Sequence, residues 1–159
     1  MISIENLKNK KISGVGRNCD LVWIAVGNIK EAVDWNNKKK LKSEYYIHIQ
    51  TPFRLVKNNR IVISDRSIYQ PIVGGDWSQP NNSTFDSWCK KSELVGRVIK
   101  KITVNQIGDV IIDVDNYTLE IVNLVTDKEG EVWRILSADC NEQHYVCLSK
   151  GGKTVYEYQ

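Results

Sequence analysis

The chain has 159 residues, of which 42% are hydrophobic and 26% charged, and its formal net charge is +3. This length suits one domain with its own core, and the composition argues against disordered, collagen-like and membrane-embedded proteins. The 22 basic residues are nearly balanced by 19 acidic ones, so net charge alone selects no partner. The start lacks the basic and apolar run of a secretory signal, which predicts a cytoplasmic protein whose four cysteines are reduced.

The first third of the chain predicts short strands, because apolar and polar residues alternate between turn signals. The predicted strands are 11–15, 21–26, 45–50, 53–56 and 60–64. Between the second and third, Ile29, Ala32 and Val33 allow one short helix. The lysine-rich residues 38–42 follow this helix, and they indicate a solvated loop or an edge strand rather than a nucleic-acid site.

The middle of the chain predicts a connector followed by a helix. Residues 70–83 combine prolines, glycines and asparagines and form the longest irregular stretch. Phe85, Trp88, Cys89 and Leu94 then recur at three- and four-residue spacings, which predicts a helix over 84–94 that ends before Gly96.

The second half predicts six strands in close succession. They are 98–105, 109–114, 118–125, 131–137, 144–149 and 153–158. Their short loops leave no room for crossover helices, which excludes a nucleotide-binding α/β fold and indicates an up-and-down antiparallel meander. The predicted fold class is therefore α+β, mostly antiparallel sheet, with one or two short helices in a single domain over 1–159.

A faint internal repeat links residues 1–69 with residues 94–159, joined by the loop and helix of 70–93. The segment around Ile12 is echoed around Ile99, an offset of 99 − 12 = 87, and Glu44 matches Glu131 at the same offset. Matching offsets suggest two related β units, although alternating apolar residues also produce such matches by chance.

Neither a metal nor a cofactor is predicted. Cys140, His144 and Cys147 lie within eight residues, but in a strand His144 and Cys147 point to opposite faces and would not share an ion. Gly14 and Gly16 are followed by another strand rather than a helix, so they form no phosphate-binding loop.

Two kinds of residue are candidates for contact with a protein partner. Trp35 and Trp77 lie in polar, loop-like segments, and Trp77 follows Asp76, as an aromatic anchor of an interface would. Asp113, Asp115 and Glu120 are placed to line one acidic surface of the predicted meander. The plain alternatives are a tryptophan that covers the core and a solvated strand face.

Two stretches carry a resemblance to a known group of proteins. They are residues 45–65, with Tyr-Tyr-Ile-His-Ile-Gln-Thr-Pro-Phe-Arg, and residues 94–135, with Leu-Val-Gly-Arg, Gly-Asp-Val, Leu-Glu-Ile and Glu-Val-Trp-Arg. These stretches resemble small bacterial immunity proteins of contact-dependent growth inhibition and related polymorphic toxin systems. The resemblance implies a cytoplasmic protein that binds and neutralises one cognate toxin domain and has no catalysis of its own.

Two other classes of function remain open. A small hydrolase or RNA-processing enzyme would centre on His48 and Arg54, with Asp65 and Arg66 nearby. A nucleic-acid-binding module would use residues 38–42 and an aromatic sheet face, although the balanced charge makes this partner the weaker expectation. Inhibitors of basic nucleases are often acidic, whereas this chain is mildly basic.

Overall fold

The computed structural model describes residues 2–33, 36–68, 83–126, 129–138 and 143–159. Its strands are β1 (Ile12–Asn18), β2 (Leu21–Val33), β3 (Lys39–Ile49), β4 (Phe53–Lys57), β5 (Arg60–Ser64), β6 (Ile99–Val104), β7 (Val110–Val114), β8 (Tyr117–Ile121), β9 (Gly130–Ser137), β10 (His144–Lys150) and β11 (Lys153–Tyr158). One helix, α1 (Ser83–Lys90), and two 3-10 turns, Ile4–Leu7 and Asp65–Ser67, accompany them. All strand pairs are antiparallel, so the predicted class, α+β with mainly sheet, is confirmed.

The strands form two sheets that bury one core between them. The larger sheet has the order β1-β2-β3-β9-β10-β11, and the smaller has the order β5-β4-β8-β7-β6. Alternate residues of each strand point inward, as period-two patterning requires. Trp133 and Tyr117 are among the largest fully buried side chains of this core.

The chain crosses between the sheets after β3 and after β8. At the first crossing Pro52 accepts a hydrogen bond from the N–H of Val122 (2.9 Å), and the N–H of Gln50 donates to Val132 (3.1 Å). Thr51 Oγ1 donates to the carbonyl of Val122 (2.6 Å). These bonds tie both crossings together and satisfy backbone groups that the change of sheet would leave unpaired.

The six strands predicted for the second half are all present, but they do not form one meander. β6, β7 and β8 lie in the smaller sheet, whereas β9, β10 and β11 lie in the larger one. Alternation identifies the buried side of each strand and says nothing about its neighbours. In both halves the first three strands are consecutive neighbours in one sheet and the next strands lie in the other. The predicted duplication stays a prediction.

The predicted helix around Ile29 and Val33 is wrong, because these residues belong to β2. Residues four apart share a face in a strand as well as in a helix, so their spacing fits both. Gly27, at φ 92°, forms a bulge opposite Glu44, after which β2 pairs with the lysine-rich start of β3.

Helix α1 ends at Lys90, four residues before the predicted end. The N–H of Gly96 donates to the carbonyl of Ile12 (2.8 Å), which fixes the segment after the helix as a turn against β1. Leu94 is buried through this turn rather than through a helical face. The predicted connector over 70–83 lies, apart from Ser83, outside the described residues.

Candidate binding face

The outer side of the larger sheet carries a row of chemically distinctive side chains. Trp23 pairs with His48, and His48 pairs with Arg134, so the three project from neighbouring strands on the side away from the core. In the next row Tyr46 and His144 both pair with Leu136. We call Trp23, Tyr46, His48, Arg134 and His144 the Trp23–Arg134 face.

The indole of Trp23 lies on two glycines of β1. Gly16 pairs with Trp23 and Gly14 with Ala25, so both glycines underlie this side chain. A Cβ atom on Gly16 would lie 2.2 Å from Trp23 Cζ2, whereas one on Gly14 would lie 3.6 Å from Cζ3. Gly16 therefore provides the space in which the ring rests on the strand.

The aromatic rings of this face contact one another edge to face. The ring centroids of Trp23 and Tyr46 lie 6.3 Å apart, and those of Tyr46 and His48 lie 6.5 Å apart. All three side chains are partly buried. T-shaped pairs of this kind hold each ring in place, so the face is organised before any partner arrives.

Arg134 is fixed by a carboxylate and an imidazole. Its Nε donates to Glu131 Oε1 (2.6 Å), and its Nη2 pairs with Glu131 Oε2. Its Nη1 donates to His144 Nδ1 (3.2 Å), which must accept because a guanidinium has only donors. The ion pair raises the pKa of Arg134, so the guanidinium keeps its charge and its orientation.

His48 lies beside this cation with much of its ring shielded from water. Burial, followed by repulsion from Arg134, lowers the pKa of His48 below 6.5. The folded chain therefore favours neutral His48. The contribution of His48 to the free energy of unfolding is complete above pH 6.5, and it is lost as the pH falls through the lowered pKa of the folded state.

We expect the wild-type free energy of unfolding to fall between pH 7 and pH 5.5 by more than that of His48→Gln, because glutamine does not titrate. Denaturant titrations at both pH values measure this difference. The interval from pH 7 to pH 5.5 lies above the pH range in which carboxylates such as Glu44, whose pKa is lowered, change the free energy of unfolding. Equal losses in the two chains would contradict the assignment.

We expect Gly16→Ala to displace the Trp23 indole and Gly14→Ala to leave it in place. The added carbon meets the indole at 2.2 Å in the first variant and makes an ordinary contact of 3.6 Å in the second. Gly16→Ala should change the tryptophan near-ultraviolet circular dichroism and cost about 1–3 kcal/mol of unfolding free energy, as overpacking does. Identical spectra for both variants would contradict this geometry.

A lysine-rich arm extends the same face beyond the core. The arm consists of residues 29–33 of β2 and 39–43 of β3, where Lys30 pairs with Lys42 and Ala32 with Lys40. By alternation along β3, Lys40 and Lys42 share the side of Tyr46 and His48. Glu44 lies between them and the aromatic rings and pairs with Lys10 (2.8 Å).

The sequence-predicted acidic residues lie elsewhere, on the smaller sheet. Asp113 and Glu120 are on its outer side, and Asp115 is in the turn between β7 and β8. Glu120 pairs with Arg54 (2.5 Å), and Asp115 lies 3.7 Å from Arg97 and 3.6 Å from Lys100. Asp113 accepts a hydrogen bond from Thr118 (3.2 Å) and lies opposite Lys101. Cationic neighbours therefore offset this surface, and its role stays a prediction.

Most of the remaining residues that the sequence singled out are not among those that the structure describes. Trp35, Asp76 and Trp77 fall outside the described residues, and so does Cys140. As predicted, His144 and Cys147 take opposite faces, because Cys147 is fully buried in the core. Among the residues that the structure describes, no three potential ligands gather in a metal-binding arrangement.

The structure groups His48 with different partners from those predicted. Arg54 lies on the other sheet and binds Glu120, while Asp65 and Arg66 line a cleft of about 290 Å³ beside Pro52. Arg134, which lies opposite His48, and His144, which accepts a hydrogen bond from Arg134, come from strands distant in sequence. A sequence signal for part of the face exists, because Gly14 and Gly16 alternate at the end of the first predicted strand and Trp23 lies in the second, so that a first strand extended by a few residues places glycine opposite tryptophan.

Comparisons of the chain with protein-family models, with curated proteins and with solved structures give no match. Fold and face therefore define the class: a mainly antiparallel α+β protein with an aromatic and basic outer sheet surface. None of the helices in the described ranges has the length and apolarity that crossing a bilayer requires.

Proposed function

We propose that this chain is a protein-binding module that contacts its partner through the Trp23–Arg134 face. The observation that carries the proposal is the presence of tryptophan, tyrosine and arginine together on one sheet surface. These three residue types dominate the energetics of protein interfaces, because each gives a large contact area and a directional polar group.

The shape and charge of the face support a macromolecular partner. The side chains project from the outside of a six-stranded sheet, which offers a broad surface. Arg134 and the tyrosine and tryptophan rings are held by packing and hydrogen bonds, so few rotamers are lost on binding. The lysine-rich arm at one end favours a partner that is acidic at the matching rim.

The specific function that we propose is immunity to a bacterial toxin. The chain would bind one cognate toxin domain in the cytoplasm and cover its active site, without catalysis of its own. The resemblance of residues 45–65 and 94–135 to immunity proteins supports this reading, and the mixed charge fits a toxin that is not a strongly basic nuclease.

The test is co-expression with the C-terminal domain of the protein that is encoded immediately upstream. We expect cells to survive only when this chain is present and the two proteins to co-purify. Trp23→Ala should lose both effects, while Arg54→Ala, which alters an exposed ion pair on the other sheet, should keep them. A harmless neighbour that does not co-purify would refute the toxin assignment.

A second candidate occupant is single-stranded nucleic acid. One observation favours it: the Trp23 indole rests on a glycine-lined strand beside partly buried Tyr46 and leads towards Lys40 and Lys42. Stacked aromatics next to a basic track are typical of such sites. An oligonucleotide affinity that falls steeply with added salt would support this occupant, and its absence would remove it.

A further inference from the structure

The two sheets have four edge strands, and three of them are protected against pairing with another chain. β1 is bridged to Val98 through Lys11, and its Arg17 binds Asp86 of α1 (2.6 Å). β5 is interrupted by a bulge at Val62, opposite Leu55 and Val56 of β4. β6 carries a register shift and two consecutive lysines, and its Ile99 bonds to the segment before β1. Bulges, charges and covering segments are the usual means of preventing edge-to-edge pairing.

Within the described residues, β11 is the edge strand that has neither a bulge nor a covering segment, and its two charged side chains, Lys153 and Glu157, are of opposite sign. It pairs with β10 through six consecutive residues without a register shift. His144 and Gln159 exchange both backbone hydrogen bonds (2.9 and 3.0 Å), so the N–H groups of Thr154, Tyr156 and Tyr158 point away from β10. Within the described residues these three groups have no backbone partner.

An exposed tyrosine cluster accompanies the open edge. Tyr145 stacks on Tyr156 with ring centroids 5.7 Å apart and contacts Tyr158 at 5.1 Å. Tyr156 is 37% exposed and Tyr158 is 54% exposed. Ordered aromatic rings beside unpaired backbone groups are suited to the addition of another strand.

We propose that β11 pairs with β11 of a second copy of this chain, which joins two larger sheets into one twelve-stranded sheet. This inference is independent of the proposed function and concerns another part of the sheet. The occupant is a second copy because the strand is complementary to itself. When two copies run antiparallel about Val155, each Thr154 faces the other copy's Tyr156, and both residues have outward backbone groups.

The same register also matches charges. Lys153 then lies opposite Glu157 of the second copy, and the pair occurs twice across the two-fold axis. In the single chain Glu157 pairs with Lys150 (2.5 Å), whereas Lys153, which lies opposite Lys150, makes no ion pair within the described residues. The second copy would therefore give Lys153 an acidic partner and add a second cation to Glu157. Registers shifted by two residues would place Lys153 opposite Val155 or Gln159 instead, so this charge match selects one pairing.

Sedimentation velocity on the full chain over a range of concentrations tests the proposal. One strand pair with its tyrosines buries less than the roughly 1,200 Å² of a standard interface, so we expect a weak dimer that dissociates on dilution to 18.3 kDa monomers. Lys153→Glu and Glu157→Lys should each weaken dimerisation about tenfold or more, and the double exchange should restore it. The matched control is Lys8→Glu with Glu5→Lys, at exposed positions away from β11.

A covalent readout gives a second test of the register. Residue 155 meets its own copy at a non-hydrogen-bonded position, where Cα atoms lie about 4.5 Å apart. Val155→Cys should therefore form a disulfide-linked dimer with oxidised glutathione, while the wild-type chain, with its own four cysteines, should not. A chain that stays monomeric at 100 μM overturns the proposal, even if the edge takes a partner's strand, and so does a double exchange that restores nothing.

Discussion

Replacement of Trp133 by alanine is expected to destabilise the fold by about 3–5 kcal/mol, which is much of the total stability of a domain of this size. Trp133 is 1% exposed and projects from β9 into the core. Its Nε1 donates to the carbonyl of Gly108 (2.9 Å) in the loop between β6 and β7, so this one side chain joins the two sheets. Alanine leaves a large cavity and an unpaired carbonyl.

Chemical denaturation measures this loss, and two variants separate its causes. Trp133→Phe keeps most of the volume and removes the hydrogen bond, so it should cost less than alanine. Trp23→Ala removes the same side chain from the outer face, where we expect a smaller loss of stability and a large loss of partner binding. A Trp133→Ala chain within 1 kcal/mol of wild type would show that the sheets are not joined in this way.

Replacement of Arg134 is expected to have the largest effect on partner binding. Truncating a central interface arginine typically costs 2 kcal/mol or more, which is about a thirtyfold loss of affinity. Arg134→Lys should fail as well, because an ammonium group cannot bind Glu131 through two nitrogens while also donating to His144. Calorimetry with the co-purified partner measures both variants.

The matched control is another arginine in an ion pair. Arg54 binds Glu120 on the outer side of the smaller sheet, so Arg54→Ala makes the same chemical change on the opposite face. We expect its affinity to equal that of the wild type. If Arg54→Ala weakens binding and Arg134→Ala does not, the contact surface is the smaller sheet with Asp113 and Glu120, as the sequence suggested.

The strands were predictable from sequence because a strand that is buried on one side alternates apolar and polar residues. The lysine-rich arm was harder to predict. Residues 29–33 and 39–43 extend past the core, so lysines occupy both strands and the apolar signal weakens. Leu41 is 71% exposed, and nothing in the alternation marks it as part of a strand that leaves the core. Pairing with the neighbouring strand, rather than burial, maintains this arm.

The division into two sheets and the location of the face were not predictable from one sequence. Both depend on which strands become neighbours, and β3 pairs with β9 across more than eighty residues. Trp23, His48 and Arg134 form one row only because two strand registers align them. Asp113, Asp115 and Glu120 were selected by residue type alone, and each has a neighbour that offsets its charge or donates a hydrogen bond to it. The contact of Trp23 with Gly16 was not predicted either, because Gly16 lies beyond the predicted strand 11–15, whereas β1 continues to Asn18.

The most direct test of the Trp23–Arg134 face is hydroxyl-radical footprinting of the chain with and without its co-purified partner. Tryptophan and tyrosine rings are reactive probes, and the chain has them on the Trp23–Arg134 face, on β11 and at positions 35 and 77. We expect the oxidation of Trp23 and Tyr46 to be strongly suppressed in the complex. Suppression at Trp35 and Trp77, with Trp23 and Tyr46 as reactive as in the free chain, would contradict the proposed face and assign the contact to Trp35 and Trp77.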